Sequence, residues 1–252
     1  MSERRPLIAG NWKMYKTCEE AVETAAKVAE LTADVTEVDI MIAPPFTALS
    51  PVSTALATSA VSVGAQNLYW EKEGAFTGEI APAMLVSAGC RYVIVGHSER
   101  RQYFGETDDT VNRKIRAALD SNLIPVMCIG ETKNERDSNL TLSVLDKQVQ
   151  KGLKGFSRDE LTKLVIAYEP VWAIGTGETA TAEQAQAAHR FIRETIGKTL
   201  DQKLSETVRI LYGGSVKPNN ISGLMKMTDI DGALIGGASL DAKTFSSIVK
   251  FK

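Results

Sequence analysis

The stretch Val165-Ile166-Ala167-Tyr168-Glu169-Pro170-Val171-Trp172-Ala173-Ile174-Gly175-Thr176-Gly177 decides how the chain is read. It opens on Val165, Ile166 and Ala167, a short apolar run compatible with a buried strand. A carboxylate, Glu169, stands at the end of that run. Pro170 has no N–H to give a ladder, so the strand stops there. The loop that follows, Val171, Trp172, Ala173 and Ile174, is apolar and is closed by Gly175 and Gly177. Loops normally face water. A loop this apolar makes sense as a lid that folds over a ligand, and its glycines permit close backbone approach. The other reading is a strand ending in a solvated Glu and an apolar turn; the stretch alone does not choose between them.

Outward from it the same unit repeats. Apolar strand-like runs occur at Leu7–Ala9, Val38–Ile42, Val61–Ala65, Tyr92–Val95, Ile124–Ile129, Val208–Tyr212 and Ala233–Ile235. Helical patterns lie between them. Thr17 and Glu20 form a capping box ahead of a face made by Ala21, Val22, Ala25, Val28 and Ala29. A helix starts near Thr107, with Asp108 and Asp109 in its first turn and Arg113, Lys114 and Arg116 further along, as the macrodipole favours. Thr181 and Gln184 cap the long helix that carries His189 and Phe191. Strand and helix alternate about eight times over 252 residues. Such alternation makes a parallel sheet, because each crossover needs a helix. Eight units with near-continuous apolar strands predict a closed (β/α)8 TIM barrel, one domain over residues 1–252. A doubly wound dinucleotide fold is set aside, since Gly10-Asn11-Trp12-Lys13 follows the first strand where Gly-x-Gly-x-x-Gly belongs.

Composition narrows the function. Hydrophobic residues make up 44%, charged residues 24%, and the formal net charge is −2. That is an ordinary globular balance with no basic run for nucleic acid. The polar start, Met1 to Pro6, and the lack of any apolar run near 18 residues argue against a signal peptide and a membrane span. Cys18, Cys90 and Cys128 are unpatterned and read as free thiols in a reducing, cytoplasmic setting. The histidines are His97 and His189, too few and too scattered for a zinc centre, so no metal is expected.

In a parallel barrel the residues just past the strand ends share one face. That face gathers Asn11 and Lys13, then His97, Ser98 and Glu99, then Glu169, then Gly213-Gly214-Ser215 and Gly236-Gly237. The paired glycine turns after the last two strands suit phosphate, because glycines expose backbone N–H groups. A Glu shielded from water is a suitable base for a carbon-bound hydrogen beside a carbonyl. The resulting oxyanion needs a donor, and His97, Lys13 and Asn11 are the candidates. Singly, Lys13 reads as a solvated charge, His97 as a structural histidine and Asn11 as a turn residue. Together on one face they read as one site. His189, mid-helix, reads as structural.

The connection Leu68–Glu79 is too long for a common strand-to-helix loop. Its tip, Ala75-Phe76-Thr77, lies between Gly74 and Gly78. It reads either as an interaction finger or as a loop with Phe76 folded back on its own barrel.

These residues resemble the triosephosphate isomerase family. The resemblance rests on Asn11-Trp12-Lys13, Gly96-His97-Ser98-Glu99-Arg100, Ala167 to Gly177, Tyr212-Gly213-Gly214-Ser215 and Gly236-Gly237, in order over nearly the whole chain. It implies interconversion of dihydroxyacetone phosphate and glyceraldehyde 3-phosphate without a cofactor. It implies Glu169 as base, His97 polarising the carbonyl, Lys13 supplying positive charge, and Asn11 a hydrogen bond. Glu99 would orient Lys13, and Ser98 would hold Glu169 in the open state. Backbone N–H groups of Gly175, Ser215, Gly236 and Gly237 would hold the phosphate, and Tyr212 would latch the lid, Pro170 to Gly177. It also implies a homodimer in which Phe76 and Thr77 dock beside the neighbour's Asn11 and Lys13. The far hinge of the lid, Glu178-Thr179-Ala180, departs from the basic residue expected there. Two rivals stay open: a Schiff-base aldolase-like barrel with Lys13 as nucleophile, and a non-catalytic sugar-phosphate binder. Glu169 and His97 argue against the binder, which needs neither base nor electrophile.

Overall fold

Eight strands pair in parallel in the order of the chain and the last pairs with the first, closing a barrel. They are β1 Leu7–Asn11, β2 Asp39–Ala43, β3 Val61–Ala65, β4 Tyr92–Val95, β5 Ile124–Ile129, β6 Val165–Tyr168, β7 Arg209–Tyr212 and β8 Gly232–Ile235. The computed structural model describes residues 4–173 and 180–252. The helices are α1 Cys18–Leu31, α2 Leu49–Ala55, α3 Pro82–Ser87, α4 Ser98–Tyr103, α5 Asp108–Asp120, α6 Lys133–Asp137, α7 Thr141–Gly152, α8 Ala182–Thr199, α9 Gln202–Thr207, α10 Ile221–Met225 and α11 Ala242–Val249.

Side chains alternate across a strand, and this sorts the core into two layers. Leu7, Ala9, Met41, Ile94, Val126, Cys128, Ala167 and Leu211 fill the barrel. Ile8, Ile40, Val93, Met127, Ile166, Ile210 and Ile235 face the surrounding helices. Both faces of the strands are therefore buried, which is why the sequence runs are continuously apolar. The same parity positions the chemistry: Asn11 follows Leu7 and Ala9 on the inner face, and Glu169 follows Val165 and Ala167.

The helices answer their local signals. Thr17 accepts from the Glu20 N–H while the Glu20 side chain accepts from Thr17, and α1 buries Ala21, Ala25 and Val28. Fully burying a Val side chain is worth about 1.5–3 kcal/mol. Thr181 and Gln184 cap α8 in the same way. Two short helices, α6 and α9, have no apolar periodicity to announce them. Their start signals are the Thr132–Glu135 capping box and the Asp201 cap on the Leu204 N–H. Among the described residues no helix is long and apolar enough to cross a membrane.

Candidate active site

Glu169 leaves β6 with its backbone N–H donated to the Ile129 carbonyl at 2.7 Å. Its side chain points into the barrel mouth and is 2% exposed. One carboxylate oxygen lies 3.0 Å from His97 Nε2 and the other accepts the Ser98 N–H at 2.8 Å. A Cβ on Gly213 would lie 2.8 Å from Glu169 Cγ, so only glycine lets the β7 turn pass this close. Burial works to raise the Glu169 pKa. The adjacent His97, its hydrogen bond and the Ser98 N–H outweigh burial and hold it below the ordinary carboxylate value.

His97 is the N-cap of α4, and its Nδ1 accepts the Glu99 N–H at 3.2 Å. Burial disfavours a charged imidazole, while the Glu169 carboxylate favours one and draws the His97 pKa upward. A proton on Nδ1, however, would face the Glu99 N–H, donor against donor. In the neutral tautomer that this contact fits, the ring hydrogen is on Nε2 and is donated to Glu169, although the Glu99 carboxylate 3.6 Å from Nδ1 also favours the charged ring. A polarised N–H is thus aimed at the cavity mouth.

Lys13 reaches the same mouth from the β1 turn. Its backbone φ is 52°, the left-handed region, which costs a non-glycine residue on the order of 1–3 kcal/mol. Asn11 Oδ1 accepts the Lys13 N–H at 3.0 Å, and Gln66 Nε2 donates to the carbonyls of Lys13 and Ala43, each at 2.8 Å. Gln66 thus ties the strained turn to β2. Lys13 Nζ pairs with Glu99 at 2.7 Å. A Cβ on Gly236 would come within 3.1 Å of Lys13 Cε. Both glycine turns therefore serve close approach to a charged side chain as well as an open backbone.

Asn11, Lys13, His97, Glu169, Ala173, Ser215, Gly236 and Gly237 line one cavity of about 260 Å³. Beside the Glu169–His97 pair, the turns Gly213–Ser215 and Gly236–Gly237 complete its lining. Asn220 fixes the first of these by donating to the Ser215 carbonyl and accepting the Lys217 N–H. One cation, two glycine turns, a carboxylate base and an N–H donor can together hold a small phosphorylated carbonyl compound and move a proton on it. Among the described residues no His, Cys, Asp or Glu group is arranged to hold a metal ion.

The near end of the lid is built. Pro170 begins a 3₁₀ turn, Val171–Ala173, in which Trp172 and Ala173 are buried. Glu131, fully buried, accepts from Trp172 Nε1 at 2.9 Å, from the Tyr168 hydroxyl and from Arg136 Nη1. Burial raises the Tyr168 pKa, and the Glu131 charge adds to it. Neither Glu131 nor Gln66 stands out in the sequence, because their partners lie up to 41 and 53 positions away. Ile174, Gly175, Thr176, Gly177, Glu178 and Thr179 lie outside the described residues, so the lid tip and the Gly175 phosphate contact do too. Burial pushes the Tyr212 hydroxyl up to about 12, partly offset by the Ala180 backbone just past the lid. Phe76 and Thr77 stand apart from the cavity. Phe76 packs on Tyr69, ring centroids 4.8 Å apart, yet stays 41% exposed. His189 is fully buried against the Asp229 carbonyl, and burial lowers its pKa to about 3, a structural role.

Comparison with known proteins adds an independent line. A family model described as triosephosphate isomerase matches residues 6–252. The chain is 58% identical over 249 residues to a triosephosphate isomerase of Geobacter metallireducens, covering 99% of both. It is 54% identical over 248 residues to that of Geotalea uraniireducens, covering 98% of this chain and 99% of the relative. A crystal structure of triosephosphate isomerase from Bartonella henselae superposes with a TM-score of 0.88 at 38% identity, over 97% of each chain.

Proposed function

The chain belongs to the triosephosphate isomerase family and interconverts dihydroxyacetone phosphate and D-glyceraldehyde 3-phosphate, and we propose that Glu169 is the base that moves the proton. The observation that carries this assignment is a buried carboxylate bound to an imidazole at the edge of a cavity lined by two glycine turns. Glu169 takes a carbon-bound proton from the substrate and returns it to the neighbouring carbon. His97 Nε2–H and the Lys13 ammonium stabilise the enediolate oxygens, and Asn11 adds a hydrogen bond. A neutral imidazole electrophile beside a glutamate base is the general description of this family's chemistry rather than a property peculiar to this chain.

In the resting geometry His97 and Ser98 occupy both carboxylate oxygens, which makes Glu169 a weak base. Substrate takes over His97, Glu169 turns from the Ser98 N–H toward the substrate carbon, and the closing lid, Pro170 to Gly177, removes water. Both changes raise the Glu169 pKa at the moment it must accept a proton. Phosphate sits on the N–H groups of Gly175, Ser215, Gly236 and Gly237, and Tyr212 latches the lid through Ala180. The assay is coupled turnover of dihydroxyacetone phosphate, run beside borohydride trapping. Turnover with no label on Lys13 supports this reading; a labelled Lys13 replaces it with Schiff-base chemistry.

The working form is a cytoplasmic homodimer joined through the 68–79 loop. Gly74 and Gly78 hold φ of 143° and 93°, so the loop tip turns through backbone angles that favour glycine. Met14 and Tyr15, beside Lys13, are 94% and 58% exposed. Apolar residues on both the finger and the β1 turn give a twofold contact its two halves. Thr77→Arg should give a folded monomer by sedimentation and circular dichroism with a large loss of kcat; a fully active monomer overturns the assignment.

A further inference from the structure

We propose that the opposite, N-terminal mouth of the barrel is a second anion site, built for a small polyphosphate-type ligand. A separate cavity of about 260 Å³ opens there, the same volume as the catalytic one. Its charged lining is Arg91, Lys163 and Arg209, its polar lining Asn122, Thr162 and Thr207, and no carboxylate lines it. The topology explains why these cations meet. Arg91 immediately precedes β4, Lys163 ends the 3₁₀ turn before β6, and Arg209 begins β7, with register Val165 to Arg209. From β4 to β7 is three strand spacings, roughly 14 Å, a gap that long cationic side chains close around a compact anion.

Two of the three charges there are not already paired among the described residues. Arg91 and Lys163 form no ion pair or hydrogen bond to a side chain among the described residues; Arg91 lies 5.7 Å from the Tyr92 ring. Asp39 divides its two oxygens between Arg5 and Arg209, both at 2.7 Å, so one carboxylate serves two guanidinium groups and this corner keeps a surplus cation. The C-terminal ends of α5 and α9 come to the same face, and cations near such ends offset the helix macrodipole. Among the described residues none of the three side chains donates to a carbonyl in a last helical turn, so their donors stay available to a ligand. Three convergent cations recognise oxyanion charge, and a diphosphate supplies two linked centres for them.

The test is equilibrium dialysis of the full chain with radiolabelled inorganic pyrophosphate at low ionic strength, with and without saturating triose phosphate. The wild type should bind one pyrophosphate that triose phosphate displaces and one that it does not. Arg91→Gln/Lys163→Gln should weaken the undisplaced one at least tenfold and leave kcat within twofold. Lys163→Gln alone, with turnover as its check on folding, should weaken it severalfold. A wild type whose bound pyrophosphate is all displaced by triose phosphate overturns the proposal, as does a variant that retains the undisplaced site at full affinity.

Discussion

Glu169 and Glu106 are two buried carboxylates held by one short turn. After β4 the Gly96 N–H is donated to Glu106 and the Ser98 N–H to Glu169, two residues later. Beyond that they differ. Glu106 is locked between two permanent cations, Arg100 at 3.0 Å and Lys114 at 2.9 Å, and Lys114 is tied in turn to Asn67. Glu169 is held by the His97 imidazole and the Ser98 amide, with no permanent cation in contact among the described residues, and it faces a cavity. A carboxylate with fixed counter-charges has nowhere to go. One whose partners a ligand can replace is free to change its pKa. Burial alone does not mark a catalytic acid or base; replaceable partners beside open space do.

The sharpest break in that comparison is to neutralise each in turn. Glu169→Gln keeps shape and burial but removes the base. It should lower kcat by roughly 10²–10⁴-fold with substrate still bound. A steady-state assay that finds half the activity retained ends the assignment. His97→Ala is next. Removing a preorganised donor at a developing oxyanion costs about 10²–10³ in kcat. If circular dichroism instead shows an unfolded chain, His97 is structural.

Glu106→Gln should behave oppositely. It strands Lys114, whose pKa burial already lowers, without its counter-charge. Breaking a buried pair on one side costs about 3–5 kcal/mol, so the melting temperature should drop by several degrees or more. Turnover per folded molecule should change only a few-fold. Loss of kcat without loss of stability would erase the distinction between the two carboxylates.

The smallest effect is on pH. The Glu169 pKa is depressed, so its stabilising contribution is present above the unfolded carboxylate value and is lost as pH falls through the folded one. Activity in kcat/KM should likewise fall on the acid side only below the ordinary glutamate range, because the free enzyme must hold Glu169 ionised. Denaturation midpoints from pH 7 to 3 for wild type and Glu169→Gln should converge toward the acid end. A gap that widens on acidification would reverse the sign.

Much of this is legible in the sequence, for a reason that names its own limit. Strand parity and strand ends are local, so Asn11, His97 and Glu169 are placed on one face once eight apolar runs are seen, and all three line one cavity. Ser98 lies on that face too, and its backbone N–H is donated to Glu169. Gln66 and Glu131 look like ordinary loop residues because what they hold, the strained Lys13 turn and the Trp172 anchor, is distant in sequence. The positive φ of Lys13 has no sequence signal at all, since glycine is the residue that announces it. The α6 and α9 caps were readable, but no buried apolar face in α6 backed its cap.

The central claim is that Glu169 carries the substrate proton, and isotope transfer measures it most directly. Dihydroxyacetone phosphate is incubated in D2O with wild type and with Glu169→Gln, and deuterium on the carbon next to the carbonyl is followed by NMR. A carboxylate that exchanges its proton with solvent predicts deuterium in the wild-type product and an incorporation rate at least ~10²-fold lower in the variant. Deuterium entering at a comparable rate in the two proteins would contradict the account.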